Sequence, residues 1–128
     1  MDRHILIADD DPLTLDLMAD VLRSLRGHGV KVLTADDGLQ AFNLIHEMQP
    51  EVVLLDAEMP GMMGCDICRQ LKVDPALADT YVIMVTANLQ ESQRREAENA
   101  GVDEYILKPF DIMQLRSRVM QALGITAR

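Results

Sequence analysis

Short apolar runs alternate along the chain with longer segments in which apolar residues recur every three or four positions. The apolar runs are rich in Ile, Val and Leu and are nearly continuous, as in parallel strands that are buried on both faces. They are His4–Ala8, Val30–Ala35, Val52–Leu55, Tyr81–Val85 and, more weakly, Tyr105–Leu107. This pattern predicts five strands of a parallel sheet.

The segments between these runs have the periodicity of amphipathic helices. The first helix is predicted to begin after Asp11, its N-cap, with Pro12 at the first helical position, and to be broken by Gly27 and Gly29. The fourth, Leu89–Ala100, is much more polar than the others. The apolar stripes of the remaining helices are Ala41, Ile45 and Met48; Ile67 and Leu71; and Ile112, Leu115, Val119 and Leu123. Strict alternation of five strands with five helices predicts a doubly wound α/β fold in one domain of 128 residues.

Charge and hydropathy limit the function classes. The chain carries 12 Lys and Arg against 21 Asp and Glu, a formal net charge of −9. This argues against direct nucleic acid binding by the domain, because contacts to phosphate backbones need clustered Lys and Arg. The N-terminal apolar run is too short for a signal peptide, and no segment reaches the ~18 consecutive apolar residues of a membrane span. We therefore expect a cytoplasmic protein that makes no membrane contact.

Cys65 and Cys68 form a C-x-x-C pair, which occurs in zinc and redox sites. A structural zinc site would need a second pair of ligands, which the sequence does not supply. The residues around the pair also differ from a thioredoxin-type motif, which follows a strand at the start of a helix. We expect two buried or half-buried thiols on one face of a helix.

Polar residues follow or end four of the predicted strands. Asp9 and Asp10 follow the first strand, Asp56 ends the third, Thr86 ends the fourth and Lys108 follows the fifth. Each of them alone has an ordinary explanation, but the carboxyl ends of parallel strands meet at one edge, where doubly wound folds bind ligands. Clustered carboxylates repel one another, and Mg²⁺, which takes oxygen ligands and phosphate, would relieve that repulsion. A carboxylate beside such a cation can act as a nucleophile.

With these motifs the chain resembles bacterial response-regulator receiver domains over nearly its whole length. The resemblance implies a flavodoxin-like, doubly wound five-stranded parallel sheet with strand order 2-1-3-4-5 and five helices. It also implies that residues 1–128 form a single receiver domain, with a core of about 3–123 and no output domain in this chain. The matching stretches are Ile5–Pro12, Asp56–Gly64, Val85–Ala87 and Lys108–Phe110.

The resemblance implies particular roles for the acidic residues. Asp56 would accept the phosphoryl group and ligate Mg²⁺, for which Mn²⁺ would substitute. Asp10 would bind the metal directly and Asp9 mainly through water, whereas Glu58 would contribute its backbone carbonyl. Glu58 and Asn88 occupy the two positions that flank the path of the hydrolytic water in the family, so they are expected to tune the lifetime of the acyl phosphate.

The resemblance also implies a relay that begins at the phosphoryl group. Thr86 and Lys108 would bind phosphoryl oxygens, and the peptide bond between Lys108 and Pro109 is commonly cis in the family. Tyr105 matches the aromatic switch position, although an ordinary strand aromatic explains it nearly as well. Movement of Thr86 and Tyr105 would shift the polar fourth helix and so change the face that a partner sees.

The implied function is a phosphorylation-dependent switch in two-component or phosphorelay signal transduction. A sensor histidine kinase or a histidine phosphotransfer protein would donate the phosphoryl group, and the domain would catalyse only its own phosphotransfer and acyl-phosphate hydrolysis. The output partner or domain, the cognate kinase and the oligomeric state stay open.

Two other function classes fit the sequence less well. A phosphohydrolase of the haloacid-dehalogenase type needs a D-x-D nucleophile motif and a cap insertion, but Pro12 and Leu13 follow the acids here and no stretch is long enough for a cap. A flavodoxin-like electron carrier needs a hydroxyl- and Gly-rich phosphate loop after the first strand, where the aspartates of this chain would repel phosphate.

Overall fold

The computed structural model describes residues 3–87 and 90–125 and contains a five-stranded parallel sheet with helices on both faces. The strands are β1 (Arg3–Ala8), β2 (Val30–Ala35), β3 (Val52–Asp56), β4 (Tyr81–Thr86) and β5 (Glu104–Leu107). Their order in the sheet is β2-β1-β3-β4-β5. The helices are α1 (Pro12–Arg23), α2 (Gly38–Met48), α3 (Gly64–Val73), α4 (Glu91–Ala100) and α5 (Ile112–Ala122). The predicted fold class and strand order are confirmed.

Two apolar cores, one on each face of the sheet, explain why the strand sequences are continuous apolar runs. Alternate residues of β1 point to opposite faces, so that Ile5 and Ile7 belong to one core and Leu6 and Ala8 to the other. The first core also contains residues of α1 and α5, and the second contains residues of α2 and α3. Within the part of the chain that is described, no helix is both long and apolar enough to cross a membrane.

The first helix begins where the sequence predicts, at Pro12 after Asp11, but it ends differently. Asp11 occupies the N-cap position, and its carboxylate accepts a hydrogen bond from the Thr14 hydroxyl. This bond lowers the pKa of Asp11. At the other end α1 stops at Arg23 and tightens into a 3₁₀ segment, Ser24–His28, that includes Gly27. Only Gly29, with φ +77°, leaves the helical region, so the predicted break at Gly27 is wrong.

A close approach of backbone to backbone sets the start of α3 beside the end of β3. A Cβ atom on Gly64 would lie 2.5 Å from the carbonyl oxygen of Asp56, so a larger residue does not fit there. The N–H of Gly64 donates to the carbonyl of Ala57 at 3.1 Å. This tight connection holds the last residue of β3 at the carboxyl edge of the sheet.

A half-buried lysine fixes the connection between α4 and β5. Lys72 Nζ donates to the Thr80 carbonyl at 2.8 Å and to Asp103 Oδ2 at 3.0 Å, and the same carboxylate oxygen accepts the N–H of Val82. Gly101 ends α4 with φ +89°, and a Cβ there would lie 2.9 Å from Lys72 Cγ. The carboxyl end of α4 is therefore anchored to α3 and β4.

Cys65 and Cys68 both lie on α3, and both thiols are free. Cys68 is buried and Cys65 is half-buried, as predicted. Burial raises the pKa of the Cys68 thiol to about 11 and also raises the pKa of Cys65. Thiols with raised pKa values are poor nucleophiles near neutral pH, which agrees with a packing role.

Candidate functional site

The carboxyl ends of the strands form an open cleft of about 590 Å³. Five of the residues predicted for a site meet there: Asp9, Asp10, Asp56, Thr86 and Lys108. Asp9 lies beneath the cleft and is fully buried, whereas Asp10 is exposed. The residues that line the cleft are Asp10, Asp56, Glu58, Met59, Pro60, Met63, Thr86, Ala87 and Lys108.

One ammonium group compensates only part of the charge of the acidic cluster. One carboxylate oxygen from each of Asp9, Asp10 and Asp56 lies within 4.8 Å of the others. Lys108 Nζ donates to Asp9 Oδ2 at 2.8 Å and lies 3.6 Å from Asp56 Oδ2. The other oxygen of Asp9 accepts the N–H of Asp11 at 2.9 Å. Asp9 thus has both of its oxygens bonded, as a buried charge requires.

The ionised form of Asp56 is disfavoured in this arrangement. Burial raises the pKa of Asp56 to about 6, and the neighbouring charge of Asp9 acts in the same direction. Lys108 opposes the shift only in part. The backbone N–H of Glu58 lies 3.4 Å from Asp56 Oδ1, which is too long for a strong hydrogen bond. An added positive charge near Asp56 would therefore favour the ionised carboxylate.

Lys108 is held both through its backbone and through its side chain. Its N–H donates to the Thr86 carbonyl at 2.8 Å, and the peptide bond between Lys108 and Pro109 is cis, as the family resemblance implied. Burial acts to lower the pKa of Lys108, but the hydrogen bond to Asp9 and the charge of Asp56 outweigh burial and raise that pKa. Lys108 is therefore a fixed positive charge at the cleft.

Thr86 and Tyr105 also line a second, smaller cavity of about 70 Å³ beneath α4. Thr86 is buried at the end of β4, and Tyr105 is half-buried on the neighbouring strand β5. The Tyr105 hydroxyl donates to the carbonyl of Arg94 on α4 at 3.3 Å. The cavity lies between the predicted threonine and tyrosine, but their switch roles stay a prediction.

The two residues predicted to tune hydrolysis have different outcomes. Glu58 lines the cleft two residues after Asp56, so it lies within the site, and its role stays a prediction. Asn88 lies outside the described residues.

Arg118 on α5 contacts two residues of β5, Tyr105 and Glu104, although the sequence does not predict it. Its Nη1 donates to the Tyr105 carbonyl at 2.7 Å, and its Nε pairs with Glu104 at 2.9 Å. The first bond gives a donor to the backbone carbonyl of Tyr105 on β5, which is an edge strand of the sheet. Helical periodicity places Arg118 one position before the buried Val119, and nothing in the sequence indicates which strand it reaches.

The donor set suits a hard divalent cation. Three carboxylates from two neighbouring strand ends supply only oxygen ligands, which Mg²⁺ prefers. Two of these side chains, Asp9 and Asp56, are 0% and 12% exposed, so ordinary solvation does not compensate their charges. The residues present therefore fit the predicted Mg²⁺.

Comparisons with known proteins agree with this geometry. The family described as response regulator receiver domain matches residues 5–120. The DNA-binding response regulator MtrA of Mycolicibacterium smegmatis is 36% identical to this chain over 123 residues, which are 96% of the chain and 51% of MtrA. The chain thus spans about half the length of the curated relatives it matches.

Two solved structures are informative about the site. The BeF₃-activated receiver domain of DrrB, from a Thermotoga maritima OmpR/PhoB homologue, is 31% identical with a TM-score of 0.85, covering 97% of this chain and 99% of that one. The receiver domain of the sensor histidine kinase PA1611 from Pseudomonas aeruginosa is 26% identical with a TM-score of 0.84, at the same coverage. It has a magnesium ion coordinated in its active-site cleft.

The raised pKa of Asp56 predicts a distinct pH dependence of stability when divalent ions are removed by a chelator. The folded protein holds a proton on Asp56 up to about pH 6, whereas the unfolded chain releases it near its ordinary value of 3.8. Stability from this group is therefore complete at low pH and is lost as the pH rises through 6. Relative to Asp56→Asn, the unfolding free energy of the wild type should fall by about 2–3 kcal/mol between about pH 4 and about pH 7.

Urea denaturation of both proteins at a series of pH values measures this difference. A difference that stays constant over the whole range would show that neither burial nor the charge of Asp9 raises the pKa of Asp56.

Proposed function

Because this chain belongs to the response-regulator receiver domains of two-component signalling, we propose that its phosphorylation-dependent switch operates through Asp56. The observation that carries the proposal is the cluster of Asp9, Asp10 and Asp56 with the Lys108 ammonium beside it. A buried structural ion pair would need one acid for one base. Here one base faces three acids, and the excess negative charge opens into a cleft.

The acids in excess are the proposed ligands of Mg²⁺. Asp9, Asp10 and Asp56 would hold the ion together with the backbone carbonyl of Glu58, and Mn²⁺ would substitute for it. When bound, the ion supplies positive charge that offsets the carboxylates and polarises a phosphoryl oxygen. The oxygen-only donor set and the magnesium in the PA1611 receiver domain support this assignment.

The proposed reaction transfers a phosphoryl group from a phosphohistidine to Asp56. A carboxylate oxygen of Asp56 forms the new O–P bond while the P–N bond breaks, and the electron pair of that bond stays on the imidazole nitrogen of the donor. Lys108 holds a phosphoryl oxygen, and the Thr86 hydroxyl donates to another. Both side chains lie on the same cleft as Asp56.

Loss of the phosphoryl group resets the switch. Water attacks the phosphorus atom and the O–P bond to Asp56 breaks, which releases inorganic phosphate. Glu58 and Asn88 are the proposed tuning residues for this step. The domain turns over no external substrate in this account, so it acts as a signalling switch and not as an enzyme of metabolism.

The phosphoryl group is proposed to reach α4 through Thr86 and Tyr105. Drawing the Thr86 hydroxyl toward the phosphoryl group frees space in the cavity of about 70 Å³ that both residues line, and the Tyr105 ring then moves inward. Its hydrogen bond to Arg94 on α4 would break, which changes the surface around that helix.

The proposed donor is a sensor histidine kinase or a histidine phosphotransfer protein in the cytoplasm. The output partner is not identified by any feature of the site. MtrA is described as DNA-binding, but we propose that this domain makes no direct contact with nucleic acid, because its net charge of −9 would repel the phosphate backbone.

A small phosphodonor such as acetyl phosphate, together with Mg²⁺, should add one phosphoryl group to the wild type and none to Asp56→Asn. The amide cannot form the acyl phosphate. Asp79→Asn, the same change at an exposed residue near the opposite edge of the sheet, is the matched control and should be phosphorylated normally. Intact-mass spectrometry measures all three proteins. Equal labelling of Asp56→Asn would place the acceptor elsewhere and reject the assignment.

Thr86→Ala should still accept the phosphoryl group but fail to pass the signal to α4. The lost hydrogen bond contributes about 0.5–1.5 kcal/mol, which biases a two-state element roughly tenfold without locking it. Amide NMR with Mg²⁺ and beryllofluoride, a stand-in for the phosphoryl group, measures the spread of the change. The wild type should show shifts in α4 and at Tyr105, and the variant only near Asp56.

Thr80→Ala is the matched control for this experiment, because Thr80 is equally buried just before the opposite end of β4. It should respond as the wild type does. Full α4 shifts in Thr86→Ala would contradict the proposed relay.

A further inference from the structure

An amide oxygen on α4 has no hydrogen-bond partner among the described residues. Gln93 Oε1 is buried and faces no donor within reach, although the rest of the side chain is partly exposed. Buried acceptors without partners are rare in native proteins, because such a group loses its bonds to water and gains none in return. The unpaired Gln93 oxygen therefore favours a second state of the molecule, in which a hydrogen-bond donor reaches it.

Gln93 lines the same cavity of about 70 Å³ as Thr86 and Tyr105. Among the described residues that line this cavity, three side chains besides Gln93 itself can donate a hydrogen bond: Thr86, Tyr105 and Cys65. The thiol of Cys65 is only a weak donor, and the proposed function commits the Thr86 hydroxyl to the phosphoryl group. Of the described lining residues, the Tyr105 hydroxyl is the strong donor that remains.

The present hydrogen bond of Tyr105 is a weak one. Its hydroxyl reaches the Arg94 carbonyl at 3.3 Å, which is longer than the 2.5–3.0 Å usual for O–H···O bonds. Arg94 is the next residue to Gln93 on α4, so the hydroxyl already contacts the helical turn that carries Gln93. The tyrosine loses little by leaving Arg94 and gains an acceptor that has no donor among the residues that the structure describes.

We propose that Gln93 Oε1 accepts the Tyr105 hydroxyl in the phosphorylated state and thereby positions the switch tyrosine inside the cavity. Gln93 is then a positioning residue that makes the resting state less stable and the phosphorylated state more stable. This inference rests on the proposed switch through Thr86 and Tyr105. It adds the residue that receives the tyrosine and couples its movement to α4 by a side chain of that helix.

A water molecule in the cavity is the competing explanation, since the space exceeds the volume that one water needs. A water would satisfy Gln93 equally in both states, and the amide would then have no influence on switching. The two explanations differ in how removal of the amide changes the response to beryllofluoride.

The test compares Gln93→Met with the wild type, because methionine has a similar length and removes the amide. Gln121→Met, at an exposed position of α5, is the matched control. The first readout is the apparent affinity for beryllofluoride at saturating Mg²⁺, measured from amide signals near Asp56. The second is the ¹⁹F signal of fluorotyrosine at position 105, which is readily assigned because Tyr81 is the only other tyrosine.

Gln93→Met should weaken beryllofluoride binding by about three- to tenfold and reduce the inward population of Tyr105, whereas Gln121→Met should change neither. The melting temperature of the resting variant should equal or exceed that of the wild type, because an unpaired buried acceptor has been removed. Tyr105→Phe should weaken binding to a similar degree. Gln93→Met in the Tyr105→Phe background should weaken it no further, since the hydroxyl is already absent.

Full beryllofluoride affinity and a full Tyr105 shift in Gln93→Met would overturn the inference. An undiminished loss in the Tyr105→Phe background would also overturn it, because the amide would then act without the hydroxyl. A wild type that binds beryllofluoride but shows no movement of Tyr105 would instead reject the proposed relay itself, and with it this inference.

Discussion

The contact between the Lys108 ammonium and the fully buried carboxylate of Asp9 is the interaction on which the site depends. At 2.8 Å it compensates a charge that could not otherwise be kept away from water. Because the ammonium is bonded to Asp9, it offers Asp10 and Asp56 little compensation for their negative charges. The pKa of Asp56 rises to about 6 through burial and the charge of Asp9. The cleft is thus arranged to attract a cation and, once a cation is bound, a phosphoryl group.

The same lysine links this chemistry to the proposed switch residue Thr86. Its backbone N–H donates to the Thr86 carbonyl, so the end of β4 is bonded directly to the residue that follows β5. The helix α4 is anchored at Gly101 by the contacts of Lys72 and Asp103, and movement at its other end costs few apolar contacts because only Ala97 and Ala100 are buried. A helix fixed at one end and weakly packed along its length suits a two-state response to a single hydrogen bond.

The strands and the acidic edge could be predicted from the sequence, whereas the contacts between side chains could not. Burial on both faces leaves a continuous apolar run, and a parallel sheet brings all strand ends to one edge, so Asp9, Asp56 and Lys108 follow from pattern alone. The 3₁₀ segment after Arg23, on the other hand, depends on how the chain returns to β2. Whether Gln93 Oε1 has a hydrogen-bond partner depends on the rotamer of one side chain in one cavity, and the pattern of apolar and polar residues does not predict that rotamer.

The central claim is that the acids at the strand ends form a cation site, and a Mg²⁺ titration of folding stability tests it most directly. Binding to the folded state alone should raise the unfolding free energy with the logarithm of the Mg²⁺ concentration above the dissociation constant. Asp10→Ala should reduce this response and, because one repelling charge is removed, leave the metal-free protein at least as stable. Sodium chloride at equal ionic strength is the control for screening. If millimolar Mg²⁺ left the wild-type stability no higher than sodium chloride did, the acidic cluster would not be a cation site and the account would be wrong.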